Sequence, residues 1–326
     1  MKSIKRVGIF TSGGDAPGMN AAIRAITRNG SYHDLHIYGI MRGYEGLIDG
    51  DIIRLETSDV ANIVHRGGTI LKTARSERFM QFEGRELAFK NLSANDIDAI
   101  IAIGGNGTFT GANIFFKEFG IPILGLPGTI DNDLYGTDFT IGFDTAVNTA
   151  VQAVDKIRDT AEAHNRLFLI EVMGRHSGFI ALYTAIASGA SAMLIPEMDH
   201  TIDDLIIELQ ASLRRKKLFG LVILAEGNKI GSAQQIASLL KTRLPEYEVR
   251  ITTLGHMQRG GAPSAADRIL ASRLGQAAVE GLLKGKHDCM VGLMDDKITF
   301  TPFEQAVLKV NLPDQDLIKL SSILGL

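Results

Sequence analysis

Short apolar runs of strand length recur along the chain, each followed by a glycine-rich break and a longer segment with helical spacing. RVGIF, LHIYGI, AIIAI, PILGL, LFLIEVM, AMLIP, LVILAEG, VRITTLG and MVGLM read as strands. NAAIRAITRN, TGANIFFKEFG, DTAVNTAVQAVDKIRDTAEAHN, DDLIIELQASLRRKK, AQQIASLLKTRL and DRILASRLGQAAVEGLLKG read as helices. Several strands are apolar at consecutive positions, the pattern of parallel strands covered on both faces. The alternation predicts doubly wound α/β architecture, whose ligands bind beyond the carboxyl ends of the strands, where loops meet helix N-termini. At 326 residues the chain is long enough for about two such domains. No low-complexity linker divides it, so the domains are expected to share segments.

Composition narrows the partners. A formal charge of -3 gives no electrostatic footprint for nucleic acid. No apolar run approaches the roughly 18 residues of a membrane span. MKSIKRVGIF has a basic head, but its apolar part ends at TSGGD, too short for a signal peptide. The single cysteine, Cys289, cannot form an internal disulfide, which suits a reducing cytoplasm.

Five strand-end loops are rich in glycine and polar residues: TSGGDAPGMN, RGGTILKTAR, GGNGTFTG, PGTIDNDLYGTD and GHMQRGGAPSAADR. Glycines let backbone N–H groups approach an anion, and a helix N-terminus adds about half a positive charge. Neither the P-loop ending nor the G-x-G-x-x-G spacing is met, so the loops point to an anion without naming it. A tight turn is the plain reading of any one loop, but five together favour phosphate. TIDND sets Asp131 and Asp133 two apart, so one carboxylate could accept a hydroxyl proton while the other helps hold metal. An isolated D-N-D would more simply be an Asx turn. Arg75, Arg166, Arg175, Arg250 and Arg259 stand at loop or strand-end positions where guanidinium forks could bind phosphate, although single arginines commonly form surface ion pairs. His256 and Glu226 could hydrogen-bond a sugar; a structural histidine and a capping acid are the plainer readings.

At TSGGDAPGMNAAIRA, PGTIDNDLYGTDFTIGFDTA, EVMGRHSG and LGHMQRGGAPSAADRILASRLG the chain closely resembles the bacterial ATP-dependent 6-phosphofructokinases, from about Val7 to Val291. The resemblance implies two doubly wound, Rossmann-like three-layer domains of the phosphofructokinase fold. The larger, ATP-binding domain would comprise residues 1–141 and about 257–307. The smaller, sugar-phosphate-binding domain would comprise about 142–256 and 308–326. It further implies transfer of the γ-phosphoryl group of ATP to the 1-hydroxyl of fructose 6-phosphate with Mg²⁺, the committed step of glycolysis, in a cytoplasmic homotetramer.

On that resemblance Asp131 would be the general base, Thr129 and Asp133 would orient substrate and metal-bound phosphates, and Arg175 would offset developing charge. The nucleotide would use Gly14, Arg75, Ser76, Gly105, Asn106, Gly107 and Thr108. The sugar phosphate would meet Thr129, Ile130, Asp131, Met173, Gly174, Arg175, Glu226, His256, Met257, Gln258 and Arg259, with Arg166 and Arg250 reaching in from a neighbouring subunit. Pyrophosphate-using relatives carry an acid where this chain has Gly107 and a lysine where it has Gly128, so ATP is the expected donor.

Two departures stand out. At the relatives' effector site Arg24, Arg28, Arg158, Arg215 and Lys217 match basic positions, yet Thr57 replaces an arginine and Ser191 an acid, which predicts altered or absent ADP activation. The family's GGDG is GGNG here, so Asn106 replaces the metal-binding Asp, which predicts weakened metal affinity and turnover. An Asn106→Asp change is then expected to raise kcat and lower the magnesium requirement. The alternatives are a catalytically weakened paralogue acting as a regulatory or structural subunit, and a kinase for another sugar phosphate or with pyrophosphate as donor.

Overall fold

The computed structural model describes residues 4–164, 166–214 and 219–325. In chain order, β1 (Arg6–Thr11), α1 (Met19–Tyr32), β2 (His36–Ile40), α2 (Gly43–Asp49), β3 (Ile52–Leu55), α3 (Phe82–Ala94), β4 (Ala99–Gly104), α4 (Asn106–Phe119) and β5 (Ile123–Pro127) come first. Then follow α5 (Phe143–His164), β6 (Arg166–Val172), α6 (Phe179–Ser188), β7 (Ala192–Leu194), α7 (Ile202–Arg214), β8 (Gly220–Ala225), α8 (Ala233–Arg243) and β9 (Glu248–Thr253). The chain ends with α9 (Ala265–Leu283), β10 (Cys289–Met294), β11 (Lys297–Pro302), α10 (Phe303–Leu308) and α11 (Gln315–Gly325). These elements form two compact units, Met1–Thr145 with Arg259–Asn311, and Ala146–Gln258 with Leu312–Leu326.

Unit 1 holds a seven-stranded sheet in the order β11-β10-β5-β4-β1-β2-β3. The five inner strands are parallel, while β3 and β11 pair antiparallel at the edges. The apolar runs of β1, β4 and β5 are buried because helices cover both faces. On one face Phe10, Phe79, Phe109, Phe115 and Phe303 join one core, with Phe109 and Phe303 stacked at 5.2 Å. Burying each such ring contributes roughly 1.5–3 kcal/mol. On the other face α1 and α9 pack closely: a Cβ at Gly275 would fall 2.8 Å from Ala25 Cβ.

Unit 2 is a four-stranded parallel sheet, β7-β8-β6-β9. Leu205 and Leu209 of α7 and Ile236 and Leu240 of α8 pack on Leu167, Leu169, Val222 and Leu224. Both sheets thus have the doubly wound form that the alternation predicts.

Several elements escape the sequence reading. The β10–β11 hairpin turns on Asp295 and Asp296, both with positive φ (48° and 60°), rather than on the glycine-containing pair that advertises such turns. Helix α6 is buried on most sides, so its sequence lacks the polar stripe that reveals a 3.6-residue period. Helices α2, α3, α10 and α11 and the four-residue β3 are missed as well. Helix α4 begins at Asn106 and not at Thr110, which places Asn106 on the first helical turn.

Candidate active site

In unit 1 the chain leaves β1 towards β2 on one side and β4 towards β5 on the other, so β1 and β4 flank the switch point where loops diverge. Ser12 N–H donates to Ile103 C=O at 3.0 Å, tying the two strand ends together. Thr73 Oγ1 donates to Gly13 C=O at 2.7 Å and Thr11 Oγ1 to Lys72 C=O at 2.7 Å, which fixes the RGGTILKTAR loop along the β1 loop. Buried Asn20 braces the same loop, donating to Arg66 and Gly67 carbonyls at 3.1 Å and accepting from Ile70 N–H at 2.8 Å. Arg259 Nη1 donates to Asp15 C=O at 3.0 Å, and a Cβ at Gly14 would lie 2.5 Å from that nitrogen. Gly14 and Arg259, expected on nucleotide and sugar phosphate respectively, therefore meet within unit 1.

Beyond β4 the backbone passes too close to its neighbours for any side chain at Gly104, whose Cβ would fall 2.3 Å from Thr108 Oγ1 and 2.6 Å from Ser12 C=O. Gly105 caps α4 without a side-chain bond, and Phe109 N–H to Gly105 C=O (3.1 Å) is the first helical bond. The amides of Asn106, Gly107 and Thr108 thus precede the helical ladder at the positive end of the dipole, an anion-binding geometry. Tyr44 supports this turn from below: its hydroxyl donates to Thr108 C=O at 2.6 Å and its ring stacks on Phe79 at 3.9 Å. Burial pushes the Tyr44 phenol well above its ordinary pKa, so it stays a donor. Arg75 is exposed, and Ser76 accepts Phe79 N–H at 3.1 Å.

The loop after β5 carries the two acids. Thr140 Oγ1 donates to Thr129 C=O at 2.6 Å, and Asp131 N–H donates to Thr129 Oγ1 at 3.2 Å. Asn132 between the acids adopts φ 52° and is buried; it accepts Thr140 N–H at 2.8 Å, donates to Asp138 C=O at 3.1 Å, and its own C=O accepts from Asn311 at 3.2 Å. Asparagine tolerates that left-handed backbone better than branched residues do, which is the signal for its role inside TIDND. Asp131 is 8% exposed, and the side chain of Ile130 is fully buried, so Ile130 can offer only its backbone. Asp133 Oδ2 accepts from Asn106 Nδ2 at 2.8 Å, joining this loop to the first turn of α4.

In unit 2, Met173–Arg175, Glu226 and His256–Gln258 all follow the carboxyl ends of β6, β8 and β9. Gly174 has φ 141°, and a Cβ there would meet Ser177 C=O at 2.3 Å, so only glycine fits. Arg175 N–H donates to Glu226 Oε1 at 2.8 Å, which locks the arginine loop to the β8 loop and leaves the exposed guanidinium presented outward. Met173 is buried, His256 and Met257 are exposed, and buried Gln258 donates to Gly255 C=O at 3.1 Å.

Arg166 and Arg250 occupy the opposite end of this sheet. Arg166 opens β6 and pairs in register with Glu248, the first residue of β9, two residues before Arg250. At about 3.3 Å per residue, the length of β6 sets Arg166 roughly 20 Å from the loop holding Met173. Arg166 Nε donates to Glu248 Oε2 at 2.9 Å, Arg250 bonds the other oxygen, and the Arg166 bond foremost holds the Glu248 carboxyl below its ordinary pKa.

Of the residues expected at an effector site, Arg24 and Arg28 lie on α1, and Arg158 on α5 donates to Ser188 C=O. Thr57 is exposed and Ser191 buried; Arg215 and Lys217 lie outside the described residues. Among the described residues, no group of three or more His, Cys, Asp or Glu could hold a metal ion, and no helix is long and apolar enough to cross a membrane.

The model of the family described as Phosphofructokinase matches residues 6–282. The ATP-dependent 6-phosphofructokinase of Cytophaga hutchinsonii is 54% identical over 322 residues, covering 99% of this chain and 98% of that one. A phosphofructokinase structure from Saccharomyces cerevisiae superposes with a TM-score of 0.89 at 35% identity; it covers 93% of this chain, which spans 45% of the yeast one. A pyrophosphate-dependent phosphofructokinase structure from Marinobacter aquaeolei shares the fold, with a TM-score of 0.84 at 24% identity over 98% of this chain and 91% of that one.

Proposed function

Because this chain belongs to the phosphofructokinase family, we propose that it transfers the γ-phosphoryl group of ATP to the 1-hydroxyl of fructose 6-phosphate. The observation that carries the proposal is the convergence, at the switch point of unit 1, of the α4 N-terminus with the loop holding buried Asp131 and half-buried Asp133. An anion cradle beside a carboxylate is what phosphoryl transfer needs, since its catalysis is mainly positioning and charge stabilisation.

Asp131 accepts the proton of the attacking hydroxyl, and its burial and the rigid Thr129–Asn132 turn hold it at a fixed place. The amides of Asn106–Thr108 bind phosphate oxygens, and Thr129 and Asp133 orient the reacting group. The roles that the family resemblance implies for the unit 2 loops are charge compensation by Arg175, whose backbone is held by Glu226, and sugar contacts by Glu226, His256 and the backbone of Met173 and Gly174. Gly14, Arg75 and Ser76 contribute to the nucleotide.

Magnesium, when bound, neutralises the phosphates. The donor set fits an ion that arrives with nucleotide: Asp133 and the Asn106 carbonyl are available in kind, but no resident three-ligand group exists among the described residues. Magnesium commonly binds in this way, through one or two carboxylates plus substrate phosphates.

Arg166 opens β6 and Arg250 lies in the amino-terminal half of β9, away from that unit's own sugar loops; this is compatible with the role that the family resemblance implies for them, at the sugar phosphate of a neighbouring subunit in a homotetramer with shared sites. The cytoplasm is the expected compartment. A steady-state assay of purified protein with fructose 6-phosphate and Mg·ATP, and separately with pyrophosphate, tests the reading. ATP-dependent turnover is expected. Turnover with pyrophosphate alone would overturn the donor, and tight sugar-phosphate binding without turnover would favour a regulatory subunit, the reading that Asn106 supports.

A further inference from the structure

We propose that Asn106 is a positioning residue that holds Asp133 without a metal ion, so that the phosphate-binding side of the site is assembled before any cation arrives. The inference rests on reading this loop as the phosphoryl-transfer site. Asn106 is fixed on the first turn of α4, where its backbone C=O accepts Thr110 Oγ1 at 2.9 Å, and its side-chain Nδ2 lies 2.8 Å from Asp133 Oδ2. An ionised carboxylate only accepts, so the amide must turn its N–H towards Asp133.

An aspartate at this position would bring a second carboxylate to the same place. Two carboxylates sharing a site cannot both ionise cheaply: one takes a proton, or a cation comes between them. The amide removes that requirement by carrying the proton-bearing partner itself, in a charge-assisted hydrogen bond. The substitution thus exchanges a cation-dependent arrangement for a cation-independent one. Asn106 keeps Asp133 aimed at the α4 N-terminus, and the cation is recruited only with its nucleotide phosphates.

The test is thermal melting of the full chain without nucleotide, in chelator and in millimolar MgCl₂. Wild type is expected to melt at the same temperature in both. Asn106→Asp is expected to melt lower in chelator and to recover by several degrees with magnesium, because a ligand that binds only the folded state stabilises it. Asn106→Ala is expected to lose stability with no response to the metal. The exchanged pair, Asn106→Asp with Asp133→Asn, restores an N–H to carboxylate contact and is expected to melt above Asn106→Asp in chelator. A magnesium shift in wild type equal to that of Asn106→Asp, or an exchanged pair no more stable than Asn106→Asp, would overturn the proposal. The melts need no turnover, so an inactive wild type would sink the proposed reaction while leaving this inference standing.

Discussion

The carboxylate of Asp267, in the first turn of α9, accepts the backbone N–H of Thr145 at 2.8 Å. It also accepts Gly142 N–H at 2.8 Å and the Thr145 hydroxyl, and Thr145 Oγ1 in turn accepts Ser264 N–H at 2.9 Å. One buried acid therefore joins the starts of α5 and α9 within unit 1, beside the point where α5 leaves that unit. This keeps the first residues of α5 in unit 1. Asp267→Ala would strand two buried amides, at about 1–3 kcal/mol each. The expected outcome is a urea midpoint lowered accordingly, with Asp267→Glu failing to restore it because the longer side chain overfills the site.

Arg166 opens β6 and Arg250 lies in the amino-terminal half of β9, whereas Asp131 lies in unit 1 after β5. If each site draws its arginines from a neighbour, Asp131→Asn and Arg166→Ala proteins should each be nearly inactive alone. Refolded together they should recover up to roughly a quarter of wild-type activity, since half of randomly paired subunits are mixed and each mixed pair rebuilds one complete site. No recovery would place the arginine and the base in one subunit's site.

Gly107 and Gly128 differ in the space around them. A Cβ at Gly107 would meet nothing within 4 Å, while one at Gly128 would fall 2.9 Å from Ile103 Cγ2 and 3.1 Å from Met19 Cε. Gly107→Asp should fold as stably as wild type, helped by an acid in the first turn of α4, yet raise KM for ATP about tenfold through repulsion of phosphate. Gly128→Lys should lose about 1–3 kcal/mol of stability through overpacking. Melting curves and ATP titrations of the two variants distinguish these outcomes.

His200 Nε2 lies 3.2 Å from Glu208 Oε1, and that hydrogen bond raises the imidazole pKa above 6.5 despite partial burial. A group with a raised folded pKa contributes stability that is fully present below its unfolded pKa and is lost as pH rises through the folded value. The melting temperature of wild type should therefore fall relative to His200→Gln above pH 6.5, by about 2 °C for a partly exposed pair. Parallel profiles for the two proteins across this range would remove the pair from the stability balance.

Local pattern determined much of this protein. The alternation of apolar runs, glycine breaks and amphipathic segments points to parallel strands covered on both faces, because helices that follow each strand can cover both sides of AIIAI and LVILA, which are fully buried. Glycine-rich strand ends likewise point to the loops that the proposed reaction assigns to phosphate. Elements without such a signature stayed hidden: α6 because burial on most sides erases its period, and the β10–β11 hairpin because two aspartates make its turn. Contacts between residues distant in sequence belong to tertiary structure alone. From sequence Asn106 reads as a metal ligand that has lost its charge; folding sets its amide against Asp133, 27 residues away, and makes it a hydrogen-bond donor. The same holds for Asp267, whose partners lie more than 120 residues earlier. A side chain's type states what bonds it can make, but the path of the backbone decides which partner comes within reach.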